Sequence, residues 1–151
     1  MTRPTKDEYF IRMAMLVATR GTCARRQVGC VLTSSRGHVL ATGYNGPPAG
    51  RAHCVDSPCP AASVESGTKL DECFAVHAEQ NALLQCRDVF EIETAYVTVA
   101  PCATCLKLFL NTSCRRLVVG DWYAAEHTEA LKRWWRGPDG VPYRVLQVSV
   151  T

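Results

Sequence analysis

No apolar run in this chain approaches the roughly 20 residues that a membrane-spanning helix needs. Charge of one sign is not in excess either. Lys and Arg total 17 against 14 Asp and Glu, a formal net charge of +3. Such a balance does not mark a broad polynucleotide surface. Neither a membrane nor a nucleic acid is expected as a partner. The stretch Met1 to Glu8 lacks the apolar core of a signal peptide, so a cytoplasmic protein is expected. Internal repeats, linkers and low-complexity tracts are missing. What remains is 151 residues, 47% hydrophobic and 21% charged. That fits one domain, residues 1–151, with a core of its own.

Cysteine is the exception to this restraint. There are nine, an odd number, and no export signal. Reduced thiols and metal binding account for them better than a disulfide framework does.

Three of the metal-ligating residues stand in a recognisable order. His77-Ala78-Glu79 is followed, 25 positions after His77, by Cys102 in Pro101-Cys102-Ala103-Thr104-Cys105. One imidazole and two thiolates hold a zinc ion and leave its fourth position open, the arrangement of catalytic zinc. Glu79, two residues past His77, is close enough to meet a water there without being a ligand. This is the H-x-E…P-C-x-x-C pattern of zinc nucleobase deaminases. Blander readings stand beside it. Cys102 and Cys105 also suit a structural zinc knuckle or a redox pair, His77 a capping or core residue, and Glu79 a first-turn helix acid.

The pattern of apolar residues gives the elements. Thr5-Lys6-Asp7-Glu8 has the form of a capping box, and Phe10, Met13, Ala14 and Val17 follow at helical spacing. A helix is predicted from Lys6 to Thr19, stopped near Gly21. Val28–Thr33 and His38–Gly43 read as a hairpin turning at Ser34-Ser35-Arg36-Gly37. A turn-rich loop, Tyr44 to Gly50, comes next. Residues 51–74 have no period, which in a compact domain implies ordering by function or metal. A helix from His77 to Arg87, a strand from Thr94 to Val99, a helix opening at Cys102 and a strand from Arg116 to Gly120 follow. The last pair is a helix from Ala124 to Arg136, ended by Gly137-Pro138, and a strand from Tyr143 to Val150. The order α-β-β-α-β-α-β-α-β predicts an α/β fold, a five-stranded mixed sheet covered on both faces. His77 and Cys102 both fall at helix starts, where the dipole favours thiolate and hydroxide. Cys30, Cys86 and Cys114 read as small core residues, and His38 and His127 as surface residues.

Together, Gly43-Tyr44-Asn45-Gly46, His77-Ala78-Glu79-Gln80-Asn81-Ala82 and Pro101-Cys102-Ala103-Thr104-Cys105 resemble the deoxycytidylate (dCMP) deaminase family, in its bacterial and phage form. Gly21-Thr22-Cys23-Ala24-Arg25 and Val28-Gly29 extend the resemblance, which covers most of residues 6–123. It implies the cytidine deaminase-like three-layer α/β/α sandwich. It also implies zinc-dependent hydrolysis of dCMP to dUMP and ammonia on the route to thymidylate. His77, Cys102 and Cys105 would be the zinc ligands. Glu79 would relay protons between the attacking water, the pyrimidine ring and the departing amine.

The same resemblance assigns the contacts to the nucleotide. Asn45 would bond the deoxyribose 3′-hydroxyl, the Ala78 amide the pyrimidine carbonyl, and Arg25 and Arg26 the 5′-phosphate. Tyr123 would lie near the nucleotide. On local chemistry alone the 43–46 loop is also readable as a plain turn, and the arginine pair as solvated charge. Cys23, Cys54, Cys59 and Cys73, with His53 as a substitute ligand, would hold a second, structural Zn²⁺. The family implies a homo-hexamer whose effectors are dCTP, an activator, and dTTP, an inhibitor, with Mg²⁺ on the triphosphate. Tyr44 and Gly46 would belong to that effector site. Regulated relatives carry an aromatic residue and an arginine after the position of Leu83-Leu84. This chain has Gln85-Cys86-Arg87-Asp88 there, a departure from those relatives that leaves both a regulated and an unregulated enzyme as readings. Acceptance of dCTP as a further substrate beside dCMP is also open; the alternatives to the family reading are another zinc deaminase, acting on tRNA adenosine, guanine or cytidine, and a non-catalytic zinc-binding module.

Overall fold

The structure, a computed structural model, describes residues 2–65, 73–122 and 125–149. Chain order is α1 (Lys6–Ala18), β1 (Gly29–Ser34), β2 (Val39–Tyr44), α2 (Ala78–Gln85), β3 (Ile92–Val99), α3 (Ala103–Leu110), β4 (Arg116–Asp121), α4 (Ala125–Trp134) and β5 (Arg144–Gln147). The strands form one sheet in the order β2-β1-β3-β4-β5. β1 pairs antiparallel with β2 and with β3, whereas β3–β4 and β4–β5 are parallel. Each parallel pair is joined through a helix, as parallel strands require.

The period-2 alternation of the central strands sorts side chains between two cores. Cys30 and Leu32, Ala95 and Val97, and Leu117 and Val119 face one side. There they meet Ala78 and Ala82 of α2, Leu106 and Phe109 of α3, and Leu131 and Trp135 from the α4 region. Val31, Tyr96 and Val118 face the other side and meet Phe10, Ile11 and Ala14 of α1. The result is the three-layer sandwich expected from the element order. Fully buried β-branched and aliphatic residues in β3 and β4 explain why these strands read as near-continuous apolar runs.

The local signals are used as predicted. The Thr5 hydroxyl accepts the Glu8 amide at 3.1 Å, and the Glu8 carboxylate accepts the Thr5 amide at 2.8 Å. Gly37, at φ 78°, closes the β1–β2 turn in a conformation that disfavours side chains. Boundaries shift where local polar groups intervene. α2 ends at Gln85 instead of Arg87, because Cys86 turns extended and Asp88 caps a 3-10 turn at Val89–Glu91. β3 starts at Ile92, two residues before the predicted strand. α4 stops at Trp134, short of Arg136, which instead bridges to Pro142 across the Gly137-Pro138 turn. β5 covers four residues of the longer strand expected.

Residues 51–65 gain order without regular structure. Cys54, Cys59 and Ala61 are buried in a small cluster of their own, with Ala62, Val64 and Cys73 packed against it. No helix among the described residues is long and apolar enough to cross a membrane.

Candidate active site

Two helix starts converge at the carboxyl end of β3. His77 is the N-cap of α2 and Cys102 the N-cap of α3. Both take extended backbone conformations, so their side chains project from the helix ends. The Gln80 carbonyl oxygen accepts the His77 amide at 2.8 Å. Upstream, Val76 and Gly46 exchange two backbone bonds, of 2.7 and 3.1 Å, tying the approach to His77 to the loop after β2. Cys105 sits in the first turn of α3 and is fully buried.

The three ligand atoms meet. His77 Nδ1 lies 3.5 Å from Cys102 Sγ and 3.4 Å from Cys105 Sγ. Tetrahedral zinc with ordinary Zn–N and Zn–S bond lengths sets that N···S separation at about 3.5 Å. The donor set and its spacing therefore fit the ion. Among the described residues this is the one group of three or more histidine, cysteine or acidic side chains whose ligand atoms lie so close together. The two thiols interact, and Cys102 together with burial holds the Cys105 thiol far above its usual range. Cys105 and the His77 ring draw the Cys102 thiol far below its usual range, against burial. Cys102 in turn raises the proton affinity of His77.

Glu79 is 4% exposed, in the first turn of α2. Burial lifts its carboxyl above the usual carboxylate range, while the neighbouring imidazole works the other way. A carboxyl raised in this direction takes up a proton more readily than a free one, which suits a proton carrier.

A pocket of about 550 Å³, counted out to its mouth, opens over this centre. Its wall includes the predicted contacts Asn45, Ala78, Arg25 and Arg26, with Val28 and Val99 as apolar lining. The Asn45 side chain is buried and braces the chain before β1. Its Oδ1 accepts the Val28 amide and its Nδ2 donates to the Arg26 carbonyl, both at 2.8 Å. Arg25 donates to the Glu65 carbonyl at 3.0 Å, and Arg26 pairs with Asp121 at 3.0 Å.

Other predicted residues are placed differently. Tyr44 and Gly46 do not line this pocket; Tyr44 is 38% exposed, and its carbonyl accepts from Asn81. Tyr123 lies outside the described residues. Of the four cysteines assigned to a second metal, Cys54 and Cys59 have their sulfurs 3.6 Å apart, with Cys73 packed against them. Burial opposes ionisation of Cys59, but amides of Phe74 and Ala61 and the flanking thiols outweigh it and lower its pKa. Cys23 is buried and shares the wall of the main pocket with Cys73.

His127 corrects the sequence reading. Expected on the surface, it is 6% exposed, lines the pocket, and places Nδ1 2.8 Å from the Ala100 carbonyl. The signal was its spacing. His127, Leu131 and Trp135 recur every four residues, on the face that α4 buries.

Residues 4–121 match the family model described as the cytidine and deoxycytidylate deaminase zinc-binding region. The chain is 40% identical over 134 residues to the deoxycytidylate deaminase of Schizosaccharomyces pombe, covering 85% of this chain and 41% of that protein. It is 41% identical over 124 residues to the deoxycytidylate deaminase of Mycobacterium phage D29, covering 78% of this chain and 96% of that one. It thus spans about two fifths of the fungal relative and nearly all of the phage one. The fold is that of the dCMP deaminase of cyanophage S-TIM5 in its apo form. The TM-score is 0.69 at 23% identity, over 97% of this chain and 100% of the other.

Proposed function

Since the chain belongs to the cytidine and deoxycytidylate deaminase family, we propose that it hydrolyses dCMP to dUMP and ammonia. The observation that carries this is the meeting of His77 Nδ1 with the two cysteine sulfurs at 3.4 and 3.5 Å, with Glu79 buried beside them. A zinc ion held by His77, Cys102 and Cys105 supplies Lewis acidity that brings water ionisation near neutral pH.

The chain's own groups do the rest. The Ala78 amide, in the open first turn of α2, has no acceptor within its helix and is suited to the pyrimidine carbonyl. Val28 and Val99 line the pocket with apolar surface that limits competing water. Glu79 takes the proton of the water that adds to C4 and returns it to ring N3. It then carries a second proton to the amine, which leaves as ammonia as the carbonyl forms. Arg25 and Arg26 meet the 5′-phosphate with planar donors matched to its oxygens. Asn45 uses one N–H on the Arg26 carbonyl; its second can reach the 3′-hydroxyl.

Finer points belong to the same proposal. Residues 1–151 act as one domain, in the cytoplasm, within pyrimidine nucleotide synthesis. Cys54, Cys59 and Cys73 hold a structural zinc, with Cys23 or His53 as the further ligand. The protein works as a homo-hexamer, with dCTP and dTTP (the triphosphates carrying Mg²⁺) as effectors near Tyr44 and Gly46. Ammonia release from dCMP, dCTP, cytidine and guanine, each with and without dTTP, tests the reading. Turnover of dCMP is expected to dominate; turnover of guanine or cytidine alone overturns it. Metal analysis expects two zinc ions per chain, and one removes the structural site.

A further inference from the structure

Cys102 is placed by a short turn from β3 into α3: Val99, Ala100, Pro101. Ala100 and Pro101 are buried, and Pro101 has no amide proton to offer. The Ala100 peptide groups therefore carry the turn's polar anchoring. The Ala100 amide donates to the Asp121 carbonyl at 2.8 Å, continuing the β3–β4 pairing. The Ala100 carbonyl accepts from His127, at 2.8 Å from Nδ1. A carbonyl only accepts, so Nδ1 carries the ring proton, and this bond fixes the tautomer. The imidazole stands on a firm arm. Leu131 and Trp135 bury the same face of the α4 region, and Trp135 Nε1 donates to the Arg144 carbonyl at 3.0 Å. Cys102 itself makes no side-chain capping bond, so its aim depends on the backbone that precedes it.

We propose that His127 is a positioning residue for the metal centre: by gripping the Ala100 carbonyl from α4 it fixes the β3–α3 turn and the aim of the Cys102 sulfur at the ion. The ring is not part of the His77, Cys102 and Cys105 cluster; it acts through the peptide between Ala100 and Pro101. Groups that hold and orient ligands from outside commonly matter about 10- to 100-fold in metal affinity or activity. The inference rests on the zinc-site reading and deepens it.

Two variants test it. His127→Phe keeps a ring and removes the donor; His127→Asn keeps a donor that reaches the same carbonyl. Three readouts apply: zinc affinity by chelator competition, the thiolate-to-metal charge-transfer band of cobalt(II)-loaded protein, and kcat and KM for dCMP. The Phe variant is expected to bind zinc about 10- to 100-fold more weakly, with an altered cobalt band and a lowered kcat. KM is expected to stay within about threefold, and the Asn variant to restore zinc affinity and the band. Wild-type zinc affinity in the Phe variant overturns the proposal. So does a rise in KM with zinc binding unchanged, which would make His127 a substrate contact. A folded Asn variant that binds zinc about tenfold or more weakly than wild type also overturns it, and that comparison with wild type suffices should the Phe variant not fold. Wild-type protein inactive on dCMP would sink the substrate reading alone, because the zinc and cobalt measurements do not depend on the substrate.

Discussion

A methyl group on Gly43 would lie 2.3 Å from the backbone nitrogen of Ala82 and 2.4 Å from the Ala78 carbonyl. β2 and α2 therefore touch backbone to backbone, with only the alanines of α2 between the helix and the sheet. This contact seats the start of α2, and with it His77 and Glu79, above Cys105. Gly43→Ala is expected to destabilise the protein by about 3 kcal/mol, since α2 must move off the strand. Urea unfolding followed by tryptophan fluorescence measures the cost. An unchanged midpoint would contradict this seating of the helix.

Glu79→Gln keeps size and burial but removes the proton carrier. The variant is expected to bind zinc and dCMP as before, with kcat lowered by about 10²–10⁴. Metal analysis and ammonia release on the same preparation check both halves. Near-normal turnover with zinc bound would take Glu79 out of the chemistry.

Arg26 lines the pocket while paired with Asp121, which is exposed, so that pair adds little to stability. Arg26→Ala is expected to raise KM for dCMP at least about tenfold, the size of one charge-assisted hydrogen bond. Turnover of deoxycytidine, which has no phosphate, is expected to stay the same. Equal losses on both substrates would count against phosphate recognition.

The Arg116 guanidinium grips the Asp7 carboxylate with two bonds, at 2.9 and 2.5 Å, and Tyr96 donates to the same carboxylate at 2.7 Å. The Arg116 bond is the largest reason that the Asp7 pKa is lowered in the folded state. A depressed carboxyl contributes stability above its unfolded pKa of about 3.9 and loses it as pH falls through the folded value. Asp7→Asn is thus expected to cost about 1–2 kcal/mol at pH 7, a difference that shrinks below about pH 4. Urea midpoints of both proteins at pH 7, 5 and 3 measure it. A constant difference across that range would show that the charge is not the cause.

Much of the fold was legible because its signals are local. The capping box at Thr5–Glu8, the glycine turn after β1 and the apolar alternation of β3 and β4 each need only neighbours in sequence. The same holds for the candidate metal cluster. His77, Cys102 and Cys105 declare themselves by residue type and spacing, and both cap residues stand where helices begin. The boundaries that moved, at Cys86 and Arg136, moved because a nearby turn offered the backbone other partners.

His127 and the strand order belong to the other category. A lone histidine in a charged helix carries no mark of burial in its own identity; α4 buries it only because Leu131 and Trp135 dock that face on the sheet. Likewise, nothing in the order of elements places β1 between β2 and β3. That arrangement arises from non-local pairing, in which Leu32 meets Ala95 and Ala95 meets Leu117. Residue chemistry by itself determined which atoms could bind a metal, since thiolate and imidazole at those intervals leave few alternatives. Tertiary structure decided what holds them still, because a buried carbonyl finds its donor wherever packing brings one, without regard to distance along the chain.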